Sequence, residues 1–184
     1  MAEPALAELA ASDNSLIINW RAFELRPEPV ELLDPNGEYL TSAWRDHVYP
    51  LAAKMKLPMK RPPIQPRSRL AHEAAKWAGS HNRLAEYNLA LFRAFFEFGR
   101  DIGSQRVLMD LASEQGLDPE ALARALDSHQ FIAEVLGDEE DASRLGVRAV
   151  PSFVANGRVL AAGVQTAERL RELMANGPRG LALF

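Results

Sequence analysis

The sequence predicts an α/β fold in which a block of helices separates two β-containing segments, and three observations predict it. Apolar side chains alternate over residues 15–25, a pattern typical of a strand. Between residues 71 and 145 apolar side chains recur every three or four positions, which indicates amphipathic helices. Residues 149–162 are rich in β-forming side chains and are interrupted by Asn156-Gly157, a strong hairpin signal.

The N-terminal third combines a short helix, the first strand and a broken helix. Residues 1–11 have no basic region followed by a long apolar run, so they do not resemble a secretory signal, and we expect a cytoplasmic protein. The helix predicted over residues 40–51 contains Pro50, which should kink or split it. The proline-rich residues 57–66 predict a stiff connector.

The helical block has an aromatic face and a stripe of small side chains. The spacing of apolar residues predicts an amphipathic helix over residues 84–98, with Phe92 and Phe96 widening its buried face. The small side chains that let a neighbouring helix approach closely are Ala71, Ala74, Ala75 and Ala78.

Polar and helix-breaking residues predict where the later helices begin and end. Asp118 followed by Pro119 is a specific start signal, because proline favours the first helical position. Ser104, Ser128 and Thr166 are further predicted N-caps. Gly177-Pro178 is predicted to stop the last helix.

The composition excludes several classes of function. The 184 residues carry a net charge of −4, which gives no basis for binding nucleic acid or an anionic membrane. No apolar run approaches the roughly 18 residues of a membrane span. With no cysteine, the chain has no disulfide, thiolate metal site, cysteine nucleophile or dithiol couple.

Other chemical motifs are equally weak, so the sequence predicts no metal and no cofactor. The four histidines show no metal-binding spacing, and there is neither a glycine-rich phosphate loop nor a Gly-x-Ser-x-Gly elbow. The acidic residues 138–141 lie within a predicted helix, and we interpret them as a solvated face.

The sharpest feature is Val150-Pro151 at the start of the hairpin. Together with the order strand, hairpin, helix at the C-terminus, it resembles the second half of a thioredoxin fold, in which a cis-proline loop lies beside the active site. Further stretches resemble the DsbA-like thioredoxin family, in particular its FrnE-type predicted dithiol-disulfide isomerases. These stretches are Trp20-Arg-Ala-Phe-Glu-Leu-Arg-Pro27, Ser68-Arg-Leu-Ala-His72, residues 91–102, residues 107–112, Gly146-Val-Arg-Ala-Val-Pro-Ser-Phe-Val154 and Gly163-Val-Gln165.

This resemblance covers residues 16–175 and implies a thioredoxin-like fold with an inserted helical subdomain. We expect residues 1–60 to form the first part of the thioredoxin-like domain, residues 61–145 the helical insertion, and residues 146–184 the C-terminal part. In that family a first strand leads into Cys-x-x-Cys at a helix N-terminus, where the thiol pKa is lowered. Both the N-terminal strand and the active-site turn are missing here, so no catalytic residue is assigned.

The missing strand would lie in the centre of the sheet, so the sequence raises the question of what pairs with its neighbours. The strand at residues 15–25 could pair directly with the strand after Pro151, a second chain could supply a strand, or residues 181–184 could. We rank direct pairing or a homodimer above the tail, because four residues supply little pairing. A shortened gene product is a fourth explanation.

Three functions follow from the resemblance. The first is a thiol-disulfide oxidoreductase of the DsbA family that is redox-inactive as this chain. The second is a non-catalytic module that binds an extended peptide or protein at the strand edge, with Val150, Pro151, Gly163 and Gln165 as candidate binding residues. The third is a glutathione-linked isomerase or transferase, for which Ser12 and Ser15 are the remaining candidate serines.

Overall fold

The computed structural model describes residues 1–174 and 180–184 and contains helices and a four-stranded sheet. The strands are β1 (Ile17–Trp20), β2 (Ser152–Ala155), β3 (Arg158–Ala162) and β4 (Gly180–Leu183). The helices are α1 (Glu3–Ser12), α2 (Glu38–Ala43), α3 (Tyr49–Lys54), α4 (Arg69–Ser80), α5 (Leu84–Phe96), α6 (Gln105–Glu114), α7 (Pro119–Asp127), α8 (Ile132–Leu145) and α9 (Ala167–Met174). None of the helices in the described ranges is long and apolar enough to cross a membrane.

The chain forms two compact units. The sheet unit comprises Met1–Leu25 and Leu136–Phe184, and the helical unit comprises Arg26–Val135. The predicted division at residues 60 and 145 is a proposal about domain organisation, and the two units have different boundaries from it. The helical unit interrupts the sheet unit in the chain, as expected of an insertion.

The helical unit has its own core around α4 to α7. The alanine stripe of α4 is buried there as predicted, together with Tyr87 and Leu91 of α5. The Tyr87 hydroxyl donates a 2.8 Å hydrogen bond to the backbone oxygen of Leu108. Burial raises the pKa of this phenol, so it keeps its donor proton.

Two aromatic predictions for α5 are wrong. Phe92 is 39% exposed, and Phe98 lies beyond the helix with 61% of its surface exposed. The helix ends at Phe96, and Gly99 follows with a positive φ of 67°. The apolar stripe is therefore narrower than the sequence pattern indicates, because only one side of α5 meets the core.

The predicted break at Pro50 is confirmed. A π-helical turn, Trp44–Val48, separates α2 from α3, and Pro50 lies in the first turn of α3. Proline has no N–H to donate to the preceding turn, which explains why regular α-helical hydrogen bonding is interrupted here.

The predicted caps are confirmed at two helices. Asp118 accepts hydrogen bonds from the backbone N–H groups of Glu120 and Ala121 at the start of α7. Thr166 accepts one from Arg169 at the start of α9. Ser128 does not cap α8: its hydroxyl bonds back to α7, and α8 begins at Ile132. Ser104 lies at the N-cap of α6 without a side-chain cap bond, and the predicted stop at Gly177-Pro178 lies outside the described residues.

The first predicted strand is shorter than expected, and the predicted hairpin is confirmed. β1 is four residues long, whereas residues 15–25 were predicted, because the backbone from Ala22 onward turns to other partners. The β2–β3 hairpin is confirmed, and Asn156 and Gly157 have the two positive φ values that a type I′ turn requires.

The sheet has the order β1-β4-β2-β3, so the C-terminal strand lies in its interior. β4 pairs parallel with β1 and antiparallel with β2. This is the position that the family resemblance assigns to the N-terminal strand. The prediction that β1 pairs directly with β2, which was preferred together with a homodimer, is therefore wrong in the described structure. The C-terminal tail, which was expected less than either of these, supplies the strand.

Four residues are enough to complete the sheet, because a central strand pairs along both edges and packs on both faces. Leu181 and Leu183 pack into the core cluster that contains Leu6, Leu9 and Leu170. Ala182 and Phe184 pack into a second cluster with Ala142, Val147 and Val154. Leu181 and Leu183 thus contribute backbone pairing and buried side chains at the same time. The number of residues alone therefore underestimates what this strand contributes to the sheet and the core.

Candidate functional site

The four predicted binding residues lie at the entry to β2 and the exit of β3. The Val150–Pro151 peptide bond is cis. The Pro151 carbonyl accepts a 2.8 Å hydrogen bond from the Gly163 N–H. The Gln165 side-chain amide donates to the carbonyls of Ala162 and Gly163, at 3.2 and 3.3 Å. The structure therefore joins Pro151, Gly163 and Gln165 in one hydrogen-bonded turn beside Val150.

Val150 differs from its neighbours because its backbone is unused. No hydrogen bond among the described residues involves its N–H or C=O, and 38% of its surface is exposed. Pro151 and Ser152, by contrast, are both hydrogen-bonded. A partly exposed residue whose backbone donor and acceptor are unused can pair with the backbone of an incoming extended chain.

Position 163 requires glycine because of its backbone conformation, and not because a side chain would lack room. Its φ is +79°, and nothing lies within 4 Å of the position that a Cβ would occupy. The Gly163→Ala variant is expected to lose about 1 kcal/mol of unfolding free energy, because an L side chain is strained by roughly 1–2 kcal/mol in this region. Urea unfolding measures it.

Gly137 in α8 provides the matched control for this substitution. It too has open space around the Cβ position, but its φ is not in the left-handed region. Gly137→Ala is expected to raise stability by up to about 1 kcal/mol, because alanine is the better helix former. Equal effects of the two variants would contradict the conformational role of Gly163.

The site contains residues that the sequence analysis missed. The Ser152 N–H donates to the Phe184 carbonyl and the Phe184 N–H donates to the Ser152 carbonyl, both at 3.0 Å. The Ser152 hydroxyl donates to the Ala149 carbonyl at 2.7 Å. Phe184 therefore lies directly beside the loop that contains Val150. The four-residue tail carries no motif that could have indicated this.

Arg21 connects β1 to α8 at the same end of the sheet. Its guanidinium lies 2.9 Å from the carboxylate of Asp138, also bonds to Asp141, and lies 6.0 Å from the ring centre of Phe184. The second carboxylate oxygen of Asp138 accepts a 2.8 Å hydrogen bond from the Ala22 N–H. The interpretation of residues 138–141 as a solvated face is thus wrong for Asp138, which is 3% exposed.

The two candidate serines lie at the other end of the sheet. Ser12 ends α1 and Ser15 precedes β1, whereas Pro151 is next to the end of β4. Four strand residues separate the two ends, or about 13 Å. The Ser15 hydroxyl bonds to Asp13 and the Ser12 hydroxyl to the Leu9 carbonyl. Neither serine is placed to act on a group held at Pro151.

The described residues contain no cluster of three or more His, Asp or Glu side chains that could hold a metal ion. One other buried carboxylate is Glu73 in the helical unit, 3.3 Å from the His129 ring nitrogen. Its second oxygen is buried without a hydrogen-bond partner within the described structure. Glu73 belongs to α4, and 1% of its surface is exposed.

Comparison with known proteins identifies the family. The sequence profile of the DSBA-like thioredoxin domain matches residues 1–175. The chain belongs to this DsbA-like thioredoxin family. It is also 30% identical over 179 residues to the uncharacterized protein YwbO of Bacillus subtilis, covering 90% of this chain and 86% of that one. β4 begins after the last residue matched by the family profile.

Solved structures share the fold. A probable DsbA oxidoreductase from Streptomyces coelicolor matches with a TM-score of 0.67 and 22% identity, over 86% of this chain and 75% of that one. A putative protein disulfide isomerase from Nitrosomonas europaea has a TM-score of 0.69 and 15% identity, over 94% and 87%. A 2-hydroxychromene-2-carboxylate isomerase has a TM-score of 0.75 and 18% identity, over 95% and 85%.

Proposed function

We propose that this chain is a DsbA-like module that binds an extended peptide at the loop before β2 without thiol exchange by its own residues. The observation that carries the proposal is the unused backbone of Val150, whose N–H and C=O have no partner among the described residues. The turn formed by Pro151, Gly163 and Gln165 holds this backbone in place. Within the family, the stretches around Trp20 and Leu91 support an affiliation with the FrnE-type members.

The absence of thiol chemistry follows from the sequence. Disulfide exchange needs a thiolate that attacks a sulfur and a second thiol that resolves the mixed disulfide. The chain has no cysteine. Binding that depends on backbone pairing requires no such group, so it is the part of the family's chemistry that these residues can support.

The Pro151→Ala variant tests the proposed site. The proline ring fixes φ at residue 151 and disfavours the helical conformation at residue 150, so its removal frees the Val150 backbone. With S-sulfonated insulin B chain as the extended probe, affinity is expected to fall about tenfold, or about 1.4 kcal/mol. Fluorescence anisotropy measures the dissociation constant. In the insulin-reduction assay the unmodified chain is expected to be inactive.

Val150→Ala is the matched control, because it shortens the side chain and keeps both backbone groups. Its affinity for the same probe is expected to stay within about twofold, since only the backbone of residue 150 pairs with the peptide. Unchanged binding by Pro151→Ala would show that the loop is not the binding site. A strong loss in Val150→Ala would show that side-chain contacts, and not backbone pairing, are responsible.

The second candidate is a glutathione-linked isomerase or transferase, which the similarity to the 2-hydroxychromene-2-carboxylate isomerase favours. This function needs a nucleophile or a serine close to Pro151, and Ser12 and Ser15 lie at the far end of the sheet. Titration of the chain with reduced glutathione in a calorimeter separates the candidates. Heat of binding would support the isomerase, and its absence would remove it.

A further inference from the structure

β4 is an interior strand of the sheet and is formed by the last residues of the sequence. β4 is bonded on one side to β1 and on the other to β2, both far from it in sequence. Residues 175–179 are the five residues of sequence that join it to α9. The strand is therefore held by pairing with segments that are distant from it in sequence.

We propose that β4 exchanges between two copies of this chain, so that each copy supplies the central strand of the other. The space between β1 and β2 fits the sequence Gly-Leu-Ala-Leu-Phe at residues 180–184. The leucines enter the cluster around Leu6 and Leu170, and Phe184 enters the cluster around Ala142 and Val147. A second copy carries the same tail, so it fills the space with the same contacts and requires no new interface.

Withdrawal of β4 from the sheet also favours association with a second copy of the chain. It exposes one edge of β1 and one edge of β2, together with Leu181, Leu183 and Phe184, all buried in the closed chain. Unpaired strand edges beside apolar side chains readily pair with another chain. Exchange of an identical element is a low-cost route to a dimer.

The exchange also makes the candidate site composite. In the exchanged dimer the residue that pairs with Ser152, beside Val150, is Phe184 of the other copy. The closed monomer is favoured at low protein concentration, because a short connection gives the tail an effective concentration of about millimolar. We therefore expect dimers after refolding at high protein concentration. This proposal is independent of peptide binding.

The absence of native cysteine makes a cross-linking test clean. Val154 and Ala182 face each other in the ladder, so cysteines at these positions are within disulfide reach. The variants Val154→Cys and Ala182→Cys are made separately, mixed in urea, refolded together and oxidised. The expected product is a covalent heterodimer whose yield rises with protein concentration. The oxidation conditions are those under which the double variant forms its disulfide completely.

Two comparisons make the outcome decisive. Val154→Cys mixed with Gly180→Cys, which is two positions out of register, is expected to give less than a tenth of that yield. Equal yields from the two mixtures would overturn the proposal, as would dimers without the heterodimer cross-link, which would indicate association through other surfaces. Sedimentation equilibrium of the unmodified refolded chain should give twice 20.4 kDa at high concentration. A mass of 20.4 kDa throughout would also overturn it.

Discussion

Deletion of residues 180–184 is expected to abolish the cooperative unfolding transition of the sheet unit. Leu181, Leu183 and Phe184 are almost fully buried. Truncation of a buried leucine or phenylalanine costs about 2–5 kcal/mol, and a typical domain is stable by only about 5–15 kcal/mol. The three side chains together therefore account for stability of the same order as that of a whole domain. The deletion also leaves the edges of β1 and β2 unpaired.

Single substitutions make this expectation quantitative. Leu181→Ala is expected to lower the unfolding free energy by about 3 kcal/mol, because Leu181 has no exposed surface and lies between two strands. Ile17→Ala on the neighbouring strand β1 is the control, since 63% of Ile17 is exposed, and it should cost less than about 0.5 kcal/mol. Urea denaturation followed by circular dichroism measures both. Similar losses in the two variants would mean that β4 is not a central strand in solution.

Asp138→Ala is expected to lower the unfolding free energy by about 3 kcal/mol. The buried carboxylate accepts the Ala22 N–H and pairs with Arg21, and its removal leaves both donors without this partner. Breaking a buried pair by removing one member typically costs about 3–5 kcal/mol, and the one-third exposure of Arg21 places the expected loss at the lower end. Thermal or urea unfolding gives the value.

Two variants separate the charge of Asp138 from its hydrogen bond. Asp138→Asn keeps an acceptor for the Ala22 N–H and is expected to lose about half as much stability as Asp138→Ala. Asp141→Asn removes a carboxylate that is 30% exposed on the same helix and should cost less than about 1 kcal/mol. If all three variants behaved alike, Asp138 would be a surface residue, as the sequence pattern indicated.

Local patterns in the sequence determined most of the elements. The Asn156-Gly157 turn requires positive φ at both residues, and those residue types supply it, so the hairpin could be predicted from the chain alone. The cap at Asp118 and the break at Pro50 depend likewise on atoms within a few residues. Two of the predictions that failed, at Phe92 and Asp138, concern which face of a helix meets the core. That depends on distant segments.

The family and the lack of cysteine also follow from the sequence, because they depend on ordered motifs and on composition. The resemblance predicts that Pro151, Gly163 and Gln165 lie together. In the structure, hydrogen bonds link Gly163 to Pro151 and Gln165 to Gly163. Only the structure shows that the Val150 backbone has no hydrogen-bond partner among the described residues. A sequence shows which residue can pair but does not show which backbone groups already have a partner.

Only the tertiary structure decided which segment completes the sheet. The tail of four residues is too short to have a stable structure alone, and its sequence fits a strand no better than many apolar stretches do. It becomes the central strand because β1 and β2 present unpaired edges to it and because cores on both faces accept its side chains. The chain's sequence determined the elements around this position, and long-range pairing determined its occupant.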